Sequence, residues 1–125
     1  HCPLPTINPM LIEILKSKIA HATITEADLE YEGSITIDST LLKKVDLIPG
    51  EKVEVLNLNN GNRFTTYTIA GKAGSGEICL NGPAARLGLV GDRIIILSYA
   101  TVDLQEARTF KPKIIHLNAR NKIKN

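Results

Sequence analysis

Short runs of alternating apolar and polar residues, broken by turn residues, predict a chain built mainly of β-strands. Residues 35–37, 53–55 and 64–70 show this alternation and are rich in β-branched side chains. An Asn-Gly pair at residues 60–61 separates the last two stretches, and such a pair favours the backbone angles of a tight hairpin turn. We therefore expect residues 64–70 to return antiparallel to the strand before them.

The remaining apolar stretches are separated by turn and helix-capping signals. Further strands are predicted at residues 77–80, 93–99 and 114–117. Brief helices are predicted at residues 40–44, capped by Asp38 or Ser39, at residues 81–85 and at residues 103–110. Many short strands with small helices between them are typical of a closed β-barrel, and we expect a mainly β fold of this kind.

The two ends of the chain have less regular patterns. Apolar positions between residues 10 and 25 match helical spacing, whereas the β-branched Thr23 and Ile24 favour a strand, so neither structure is favoured there. The tail, residues 119–125, is polar and basic and is expected to fray. Residues 1–9 contain three of the six prolines and precede the only methionine. We expect them to be a leader left from protein expression, with Met10 as the native start.

Composition and charge describe one ordinary globular domain, which we assign to residues 10–125. The 125 residues are 43% hydrophobic and 4% aromatic with no tryptophan, so the core must be mostly aliphatic. A net charge of +2 is too small to indicate nucleic acid or an anionic membrane as a partner. The apolar run at residues 94–97 is far too short to span a bilayer. Cys2 and Cys79 do not suggest a disulfide framework, which fits a reducing cytoplasm.

The Gly33-Ser34 pair is a candidate for self-cleavage. If the fold strains such a bond, the serine hydroxyl can attack the glycine carbonyl and convert the amide into an ester. β-Elimination then cuts the chain, and hydrolysis of the resulting dehydroalanine leaves a pyruvoyl ketone at the new N-terminus. Such a ketone is an electrophile that no standard side chain supplies. On its own, however, a Gly-Ser pair is more often part of a turn.

Several blocks around and after this pair form a recognisable series. Among them are Tyr31-Glu32-Gly33-Ser34, Asn60-Gly61-Asn62-Arg63-Phe64-Thr65-Thr66-Tyr67, Asn81-Gly82-Pro83-Ala84-Ala85 and Glu106-Ala107-Arg108-Thr109. Together with shorter matches they run in one order from about residue 10 to residue 117. In this order they resemble the bacterial pyruvoyl-dependent aspartate 1-decarboxylases.

The resemblance implies a double-psi β-barrel assembled as a homotetramer with active sites between subunits. It implies conversion of L-aspartate to β-alanine and CO2, which supplies pantothenate and coenzyme A synthesis. Autocatalytic cleavage between Gly33 and Ser34 would leave a short β chain and a longer α chain. The cofactor would be the pyruvoyl group derived from Ser34, with no metal and no pyridoxal phosphate. A Schiff base between its ketone and the substrate amine would accept the electron pair that departing CO2 leaves behind.

The resemblance also assigns roles to four polar or charged side chains. Tyr67 would be the proton donor, and Thr66 would hydrogen-bond the Gly33 carbonyl during cleavage. Arg63 and Lys18 would bind the substrate carboxylates, Arg63 through its planar guanidinium. Taken alone, the tyrosine and threonine would be ordinary strand residues, and the two cations would be solvated surface charges.

The small residues after Asn81 match the family's substrate-binding stretch. Gly82, Pro83 and Ala84 would let backbone groups approach the substrate closely. Asn81 is either a polar contact at the site or a helix N-cap. Three departures from the family pattern concern substrate contacts: Pro83 lacks the N–H of the usual alanine, Leu56 replaces a tryptophan of some relatives, and His21 is displaced by one position.

Two alternative functions stay open at this point. A non-enzymatic β-barrel that binds nucleic acid or protein would need a basic stripe with exposed aromatic residues. Two phenylalanines and three tyrosines at nearly neutral charge argue against it. The other alternative is a pyruvoyl decarboxylase of another amino acid, although the paired cations Lys18 and Arg63 favour a dicarboxylic substrate.

Overall fold

Eight strands, two short α-helices and one 3-10 turn are formed within residues 10–124, the part of the chain that the computed structural model describes. The strands are β1 (Leu11–Thr23), β2 (Glu26–Asp28), β3 (Ser34–Asp38), β4 (Lys52–Asn57), β5 (Arg63–Gly71), β6 (Ile78–Asn81), β7 (Arg93–Asp103) and β8 (Lys113–His116). The helices are α1 (Ser39–Lys44) and α2 (Leu104–Thr109), and the 3-10 turn is Gly82–Arg86. Residues 1–9, predicted to be a leader, lie outside the described residues.

Both helices begin at an aspartate cap, which the sequence predicted for α1 alone. The Asp38 carboxylate accepts a hydrogen bond from the backbone N–H of Thr40 at 2.8 Å, which confirms the capped helix after β3. Asp103 caps α2 in the same way, through the N–H of Glu106 at 2.8 Å. Within residues 10–124 no helix is long and apolar enough to cross a bilayer.

The strands form one mixed sheet in the order β2-β6-β3-β5-β4-β7-β1-β8. The pairs β2–β6, β3–β5 and β1–β8 are parallel, and the other neighbours are antiparallel. Strand β5 returns antiparallel to β4, as the Asn-Gly pair predicted. The prediction of a mainly β fold with short helices is confirmed.

Alternation along the strands sorts side chains between one apolar core and an outer face. Strands β3, β4 and β7 each direct alternate residues inward, and the fully buried members include Ile35, Ile37, Val53, Val55, Ile94 and Ile96. Burying one such side chain contributes about 1.5–3 kcal/mol. The core is aliphatic, as the scarcity of aromatic residues predicted.

The ambiguous stretch near the start of the chain is a single long strand. Strand β1 pairs antiparallel with β7 and parallel with β8. Its register shifts twice, between Leu15 and Ser17 and between Ile19 and Ala22. Each β-bulge adds a residue to one strand and interrupts the two-residue period, so the apolar spacing of this strand imitates a helix.

The loop between β4 and β5 is wider than the tight hairpin turn that was predicted. The N–H of Asn57 donates to the carbonyl of Asn62 at 2.8 Å, and the Asn57 side-chain oxygen accepts from the N–H of Asn59 at 2.8 Å. Gly61 has a left-handed φ of 78°. The asparagine side chain therefore replaces part of the backbone bonding that a two-residue turn would have provided.

The C-terminal tail is anchored, so the prediction that it frays was wrong for residues 119–124. Asn121 is only 1% exposed, and its amide donates to the carbonyls of Thr23 and Gly76, both at 2.8 Å. It also accepts a bond from the N–H of Thr23 at 2.7 Å. A polar residue is buried here because it satisfies backbone groups of two other segments, which composition alone does not reveal.

Candidate active site

A cavity of about 360 Å³ opens beside the Gly33-Ser34 bond. Its walls come from the start of β3, from β5 and from the 3-10 turn, and consist of Gly33, Phe64, Thr65, Thr66, Tyr67, Pro83, Ala84 and Leu87. Five of these residues were expected in the site from the sequence: Gly33, Thr66, Tyr67, Pro83 and Ala84. Three separate blocks of the sequence therefore meet at one place.

The parallel pairing of β3 with β5 explains why Gly33 faces Thr66. In this ladder Ile35 lies opposite Thr68. Continuing the register by two residues brings Gly33 level with Thr66, and both line the cavity. Within residues 10–124 no direct hydrogen bond joins the Thr66 hydroxyl to the Gly33 carbonyl. Gly33 is therefore open to the cavity on the side of β5.

Ser34 is held inside the fold, at the first position of β3. Its side chain is fully buried, and its hydroxyl donates to the carbonyl of Glu32 at 3.3 Å. The same hydroxyl oxygen accepts a bond from the Asn81 amide at 2.9 Å. Ser34 and Asn81 are partners in the antiparallel β3–β6 ladder, which places the two side chains on one face.

Asn81 contacts the site instead of capping the turn with its side chain. It occupies the N-cap position of the 3-10 turn but makes no side-chain capping bond. Its amide donates both to Ser34 and to the Thr36 hydroxyl, each at 2.9 Å. Of the two roles left open by the sequence, the polar contact is the one that the geometry favours.

The backbone at Gly82 passes so close to the cleavage region that it admits no side chain. Gly82 has a φ of 63°, and an added Cβ would overlap the Tyr31 carbonyl oxygen and lie 2.8 Å from the Gly33 nitrogen. Pro83 follows it, and its Cδ lies 3.5 Å from the position of a Cβ on Gly33. Pro83 thus packs against Gly33, in addition to lacking the N–H that an alanine would offer.

Tyr67 forms the open side of the cavity. Its side chain is 39% exposed, in contrast to the fully buried Ser34. It lies on the outer face of β5 together with Thr65, whereas Phe64, Thr66 and Thr68 alternate to the other face. A phenol at this place can reach a molecule in the cavity and still exchange protons with solvent.

The two predicted substrate-binding cations do not line this cavity within one chain. Arg63 begins β5, and its guanidinium donates to the Glu54 carboxylate at 2.7 Å. Lys18 lies opposite Leu97 in the β1–β7 ladder, so β7 and β4 separate it from β5. The structure therefore brings together the cleavage and proton-donor candidates but leaves both cations outside.

Two of the departures from the family pattern also lie outside the cavity. Leu56 is half-buried on β4, opposite Arg63. His21 is exposed at the second bulge of β1 with a φ of 64°, and its ring stacks on His116 with centroids 6.4 Å apart. Neither residue lines the wall around Gly33.

Sequence reasoning missed two residues that contact Asn81. Thr36 accepts one amide bond, and the Cys79 thiol donates to the Asn81 carbonyl oxygen at 3.1 Å. Burial raises the pKa of Cys79 to about 11, and the charges of Glu26 and Glu77 add to the effect. The available signal was positional: Thr36 and Cys79 each lie two residues from a predicted site residue on a strand, and therefore share its face.

Comparisons with known proteins identify the family of this chain. A sequence profile of the family described as aspartate decarboxylase matches residues 10–124. The aspartate 1-decarboxylase of Acetivibrio thermocellus is 56% identical over 116 residues, covering 93% of this chain and 92% of that protein. The aspartate 1-decarboxylase of Thermoanaerobacter pseudethanolicus is 57% identical over 109 residues, covering 87% and 93%.

A solved structure is similar as well, at much lower identity. The rationally designed protein mkDPBB_sym_86 aligns with a TM-score of 0.47 and 15% identity, covering 62% of this chain and 90% of that one.

The profile match extends over all of the described residues, 10–124, a range that contains every candidate site residue. Relatives of this similarity, all named for one enzymatic activity, exclude the alternative of a non-enzymatic binding module. The fold is mainly β with short helices, and the double-psi barrel implied by the resemblance stays a prediction. The chain is a carboxy-lyase and belongs to the aspartate decarboxylase family.

Proposed function

We propose that this chain converts L-aspartate to β-alanine and CO2 after cutting itself between Gly33 and Ser34. The observation that supports this most directly is the shared cavity, which is lined both by Gly33, the residue to be attacked, and by Tyr67, the proposed proton donor. The substrate is inferred from the family and from the aspartate 1-decarboxylases among the relatives. Supply of pantothenate and coenzyme A synthesis in the cytoplasm is proposed on the same ground.

Cleavage begins at the Ser34 hydroxyl. Its oxygen adds to the Gly33 carbonyl carbon, and the C–N bond breaks to leave an ester and the free amine of Ser34. Loss of the Ser34 Cα proton together with breakage of the Cβ–O bond then gives a Gly33 carboxyl terminus and a dehydroalanine. Water replaces the nitrogen, ammonia leaves, and a pyruvoyl terminus remains. Water is the only co-reactant that these steps need.

The surrounding residues fit both the cut and the group that it would leave. Thr66 and Gly33 line the same cavity, and the Thr66 hydroxyl would stabilise negative charge on the glycine carbonyl oxygen. Asn81 holds the Ser34 oxygen at 2.9 Å, which fixes the attacking atom. A pyruvoyl group is no larger than the serine it replaces, so the buried position accommodates it. Its ketone supplies an electron sink for the pair that CO2 leaves on the substrate.

Tyr67 is proposed to protonate the substrate carbon after CO2 has left. A phenol is neutral at pH 7 and can therefore donate. Phe64, Pro83 and Leu87 give the same cavity an apolar wall. Such a wall limits the access of water and strengthens electrostatic contacts within the site.

Aspartate brings two carboxylates, yet among residues 10–124 no charged side chain lines the cavity. Arg63 lies two residues from Thr65 on the same face of β5 and would have to exchange Glu54 for a substrate carboxylate. Lys18 is separated from Thr65 by three strand spacings, about 14 Å. We propose that Lys18 is provided by a neighbouring subunit.

A homotetramer with sites between subunits is therefore part of the proposal. The outer face of β1, β4, β5 and β7 supports it, because this face combines charged residues with the half-buried Leu56, Ile95 and Leu97 and with Tyr99, which is 46% exposed. A groove of about 330 Å³ crosses the same face, between Glu13, Lys52, Glu54, Leu97 and Tyr99 among others. Native mass spectrometry should give the mass of four complete copies.

Intact mass under denaturing conditions tests the proposal most directly. Cleavage should yield fragments 1–33 and 34–125, the second with a blocked N-terminus that borohydride links covalently to aspartate. A chain that stays uncut on prolonged incubation, or a second fragment with a free serine terminus, would contradict self-processing. The rate of CO2 release from aspartate, compared with the rates from glutamate and from ornithine, separates the aspartate enzyme from a pyruvoyl decarboxylase of another amino acid.

A further inference from the structure

Four side chains form a compact block next to the cleavage site. In the antiparallel β3–β6 ladder Ser34 lies opposite Asn81, and Thr36 lies opposite Cys79. Residues two apart on a strand share a face, so all four side chains point to the same side of the sheet. Ser34 is fully buried, and Cys79 and Asn81 are each 4% exposed.

Hydrogen bonds within the block give the Asn81 amide one orientation. Both N–H groups of the amide are used, on the Ser34 and Thr36 hydroxyl oxygens at 2.9 Å. Its carbonyl oxygen accepts from the Cys79 thiol at 3.1 Å, while the other acceptor near that thiol, the Leu80 carbonyl, is at 3.8 Å. The burial and nearby carboxylates that raise the pKa of Cys79 keep its thiol protonated, and therefore a donor, at neutral pH.

The orientation of this amide matters for the Ser34 hydroxyl. An amide N–H that donates to the serine oxygen stabilises that oxygen as it loses its proton on attacking Gly33. The reverse orientation would present a carbonyl oxygen to the hydroxyl and would stabilise its protonated, unreactive form. A thiol proton at the far end of the amide opposes this reversal, because it can be accepted by the amide oxygen and not by the amide nitrogen.

We propose that Cys79 and Thr36 are positioning residues for self-cleavage: they hold the Asn81 amide so that it donates to the Ser34 hydroxyl. This inference rests on the proposed function, since it concerns the rate of the cut between Gly33 and Ser34. It adds two residues to the maturation machinery, neither of which touches the reacting atoms.

The test follows cleavage of freshly synthesised chain by intact mass over time. Cys79→Ala should slow cleavage roughly three- to tenfold, the expected effect of one lost hydrogen bond. Cys79→Ser keeps a donor and should cleave within about twofold of the original chain. Thr36→Val, which keeps the shape but removes the acceptor, should also slow cleavage, and Thr36→Ser should restore it.

A matched control separates positioning from loss of stability. Ile78 lies in β6, the strand of Cys79 and Asn81. The Thr25 hydroxyl accepts a bond from the N–H of Ile78 and donates to its carbonyl, both at 3.0 Å, and does not touch Asn81. Thr25→Val should lower the urea midpoint, measured on an uncleavable Ser34→Ala background, yet leave the cleavage rate unchanged. Slow cleavage in Thr25→Val, or equal rates in Cys79→Ala and the original chain, would overturn the inference.

Failure of the underlying proposal would look different. If the unsubstituted chain does not cleave at all, self-processing itself is rejected. If it cleaves and Cys79→Ser is as slow as Cys79→Ala, the effect of Cys79 is one of packing and the positioning role is wrong.

Discussion

The chain contains two Gly-Ser pairs, and their surroundings differ in almost every respect. Ser34 is buried at the start of β3, with its oxygen bonded by the amide of Asn81 on another strand. Ser75 is exposed in the loop between β5 and β6, and its hydroxyl donates to the Lys72 carbonyl of its own turn at 2.6 Å. The preceding glycines differ too: Gly74 has a left-handed φ of 78° with no atom within 4 Å of an added Cβ, whereas Gly33 packs against Pro83.

The comparison teaches that tertiary contacts, and not the dipeptide, distinguish the bond that we propose to be cleaved. At Ser75 the nearest bonding groups come from the same loop, including the N–H of Glu77 at 3.2 Å. The Gly74 carbonyl accepts a bond from the exposed Lys122 ammonium at 2.6 Å, so the two pairs differ in the burial and bonding of the serine hydroxyl, and not in the presence of a donor at the glycine carbonyl of the exposed pair. At Ser34 the attacking oxygen, the facing Thr66 and the cavity are contributed by three separate segments, so the environment exists only in the folded chain.

The largest effect on cleavage and activity is expected when each of the two serines is replaced by alanine in a separate variant. Ser34→Ala should abolish both cleavage and β-alanine production, because no other group can become the ketone. Ser75→Ala should leave both unchanged, since its hydroxyl serves only a surface turn. Intact mass and a β-alanine assay on the two variants measure this directly. Turnover in Ser34→Ala, or a cut between residues 74 and 75 in any variant, would break the comparison.

The second prediction separates cleavage from turnover at the cavity wall. Tyr67→Phe should still cleave at Ser34 but should lower kcat about 10²–10⁴-fold, the usual range for loss of a general acid. Tyr99→Phe is the matched control. Tyr99 is similarly exposed, but it lines the groove of about 330 Å³ and not the cavity beside Gly33. Equal kcat values for the two variants would remove Tyr67 from the mechanism.

Local sequence signals predicted much of the fold. The alternation of β3, β4 and β5, the Asp38 cap and the aliphatic core all follow from neighbouring residues, and all are present. The sequence misled where distant segments decide the structure. The pairing of β1 with β7 introduces bulges, and these gave β1 an apolar spacing that resembles a helix. Asn121 is buried because it bonds two remote backbone segments.

In the candidate site, too, local motifs predicted some residues, whereas contacts between distant strands determined the others. The family blocks predicted Gly33, Thr66, Tyr67, Pro83 and Ala84, and these line one cavity. Thr36 and Cys79 had no motif to mark them, because their contact with Asn81 depends on the register of β3 against β6. The separation of Lys18 from the cavity was equally invisible, since it depends on the order of strands in the sheet.

A third, smaller effect is expected at Arg63, and it should leave maturation untouched. Arg63→Gln removes a bidentate partner for a substrate carboxylate, so the KM for aspartate should rise about 10- to 100-fold while cleavage at Ser34 proceeds normally. Arg63→Lys should recover part of the loss. Arg93→Gln, at an exposed arginine remote from the Gly33 cavity, is the control. An unchanged KM in Arg63→Gln would mean that Arg63 serves only its ion pair with Glu54.

The smallest effect is expected at Asp38, which connects the two Gly-Ser regions. Asp38 ends the strand that begins with Ser34, and its carboxylate accepts bonds from the N–H groups of Gly74 and Gly76 at 3.0 and 2.9 Å. Burial by itself would raise the pKa of this carboxyl, but the backbone bonds from Gly76, Thr40 and Gly74 outweigh it and lower the pKa below its usual value of 3.8.

A carboxyl with a lowered folded-state pKa contributes stability that is fully present above pH 3.8 and is lost as the pH falls through the folded pKa. Asp38→Asn should therefore lower the free energy of unfolding at pH 7 by about 1–3 kcal/mol and flatten its fall below pH 4. Urea unfolding on the Ser34→Ala background measures both, and Asp46→Asn, at an exposed carboxylate, is the control. Cleavage at Ser34 should keep its rate in Asp38→Asn, because the Asn81 bond lies at the opposite end of β3. A marked slowing would show instead that the loop around Ser75 and the site at Ser34 are mechanically coupled through β3.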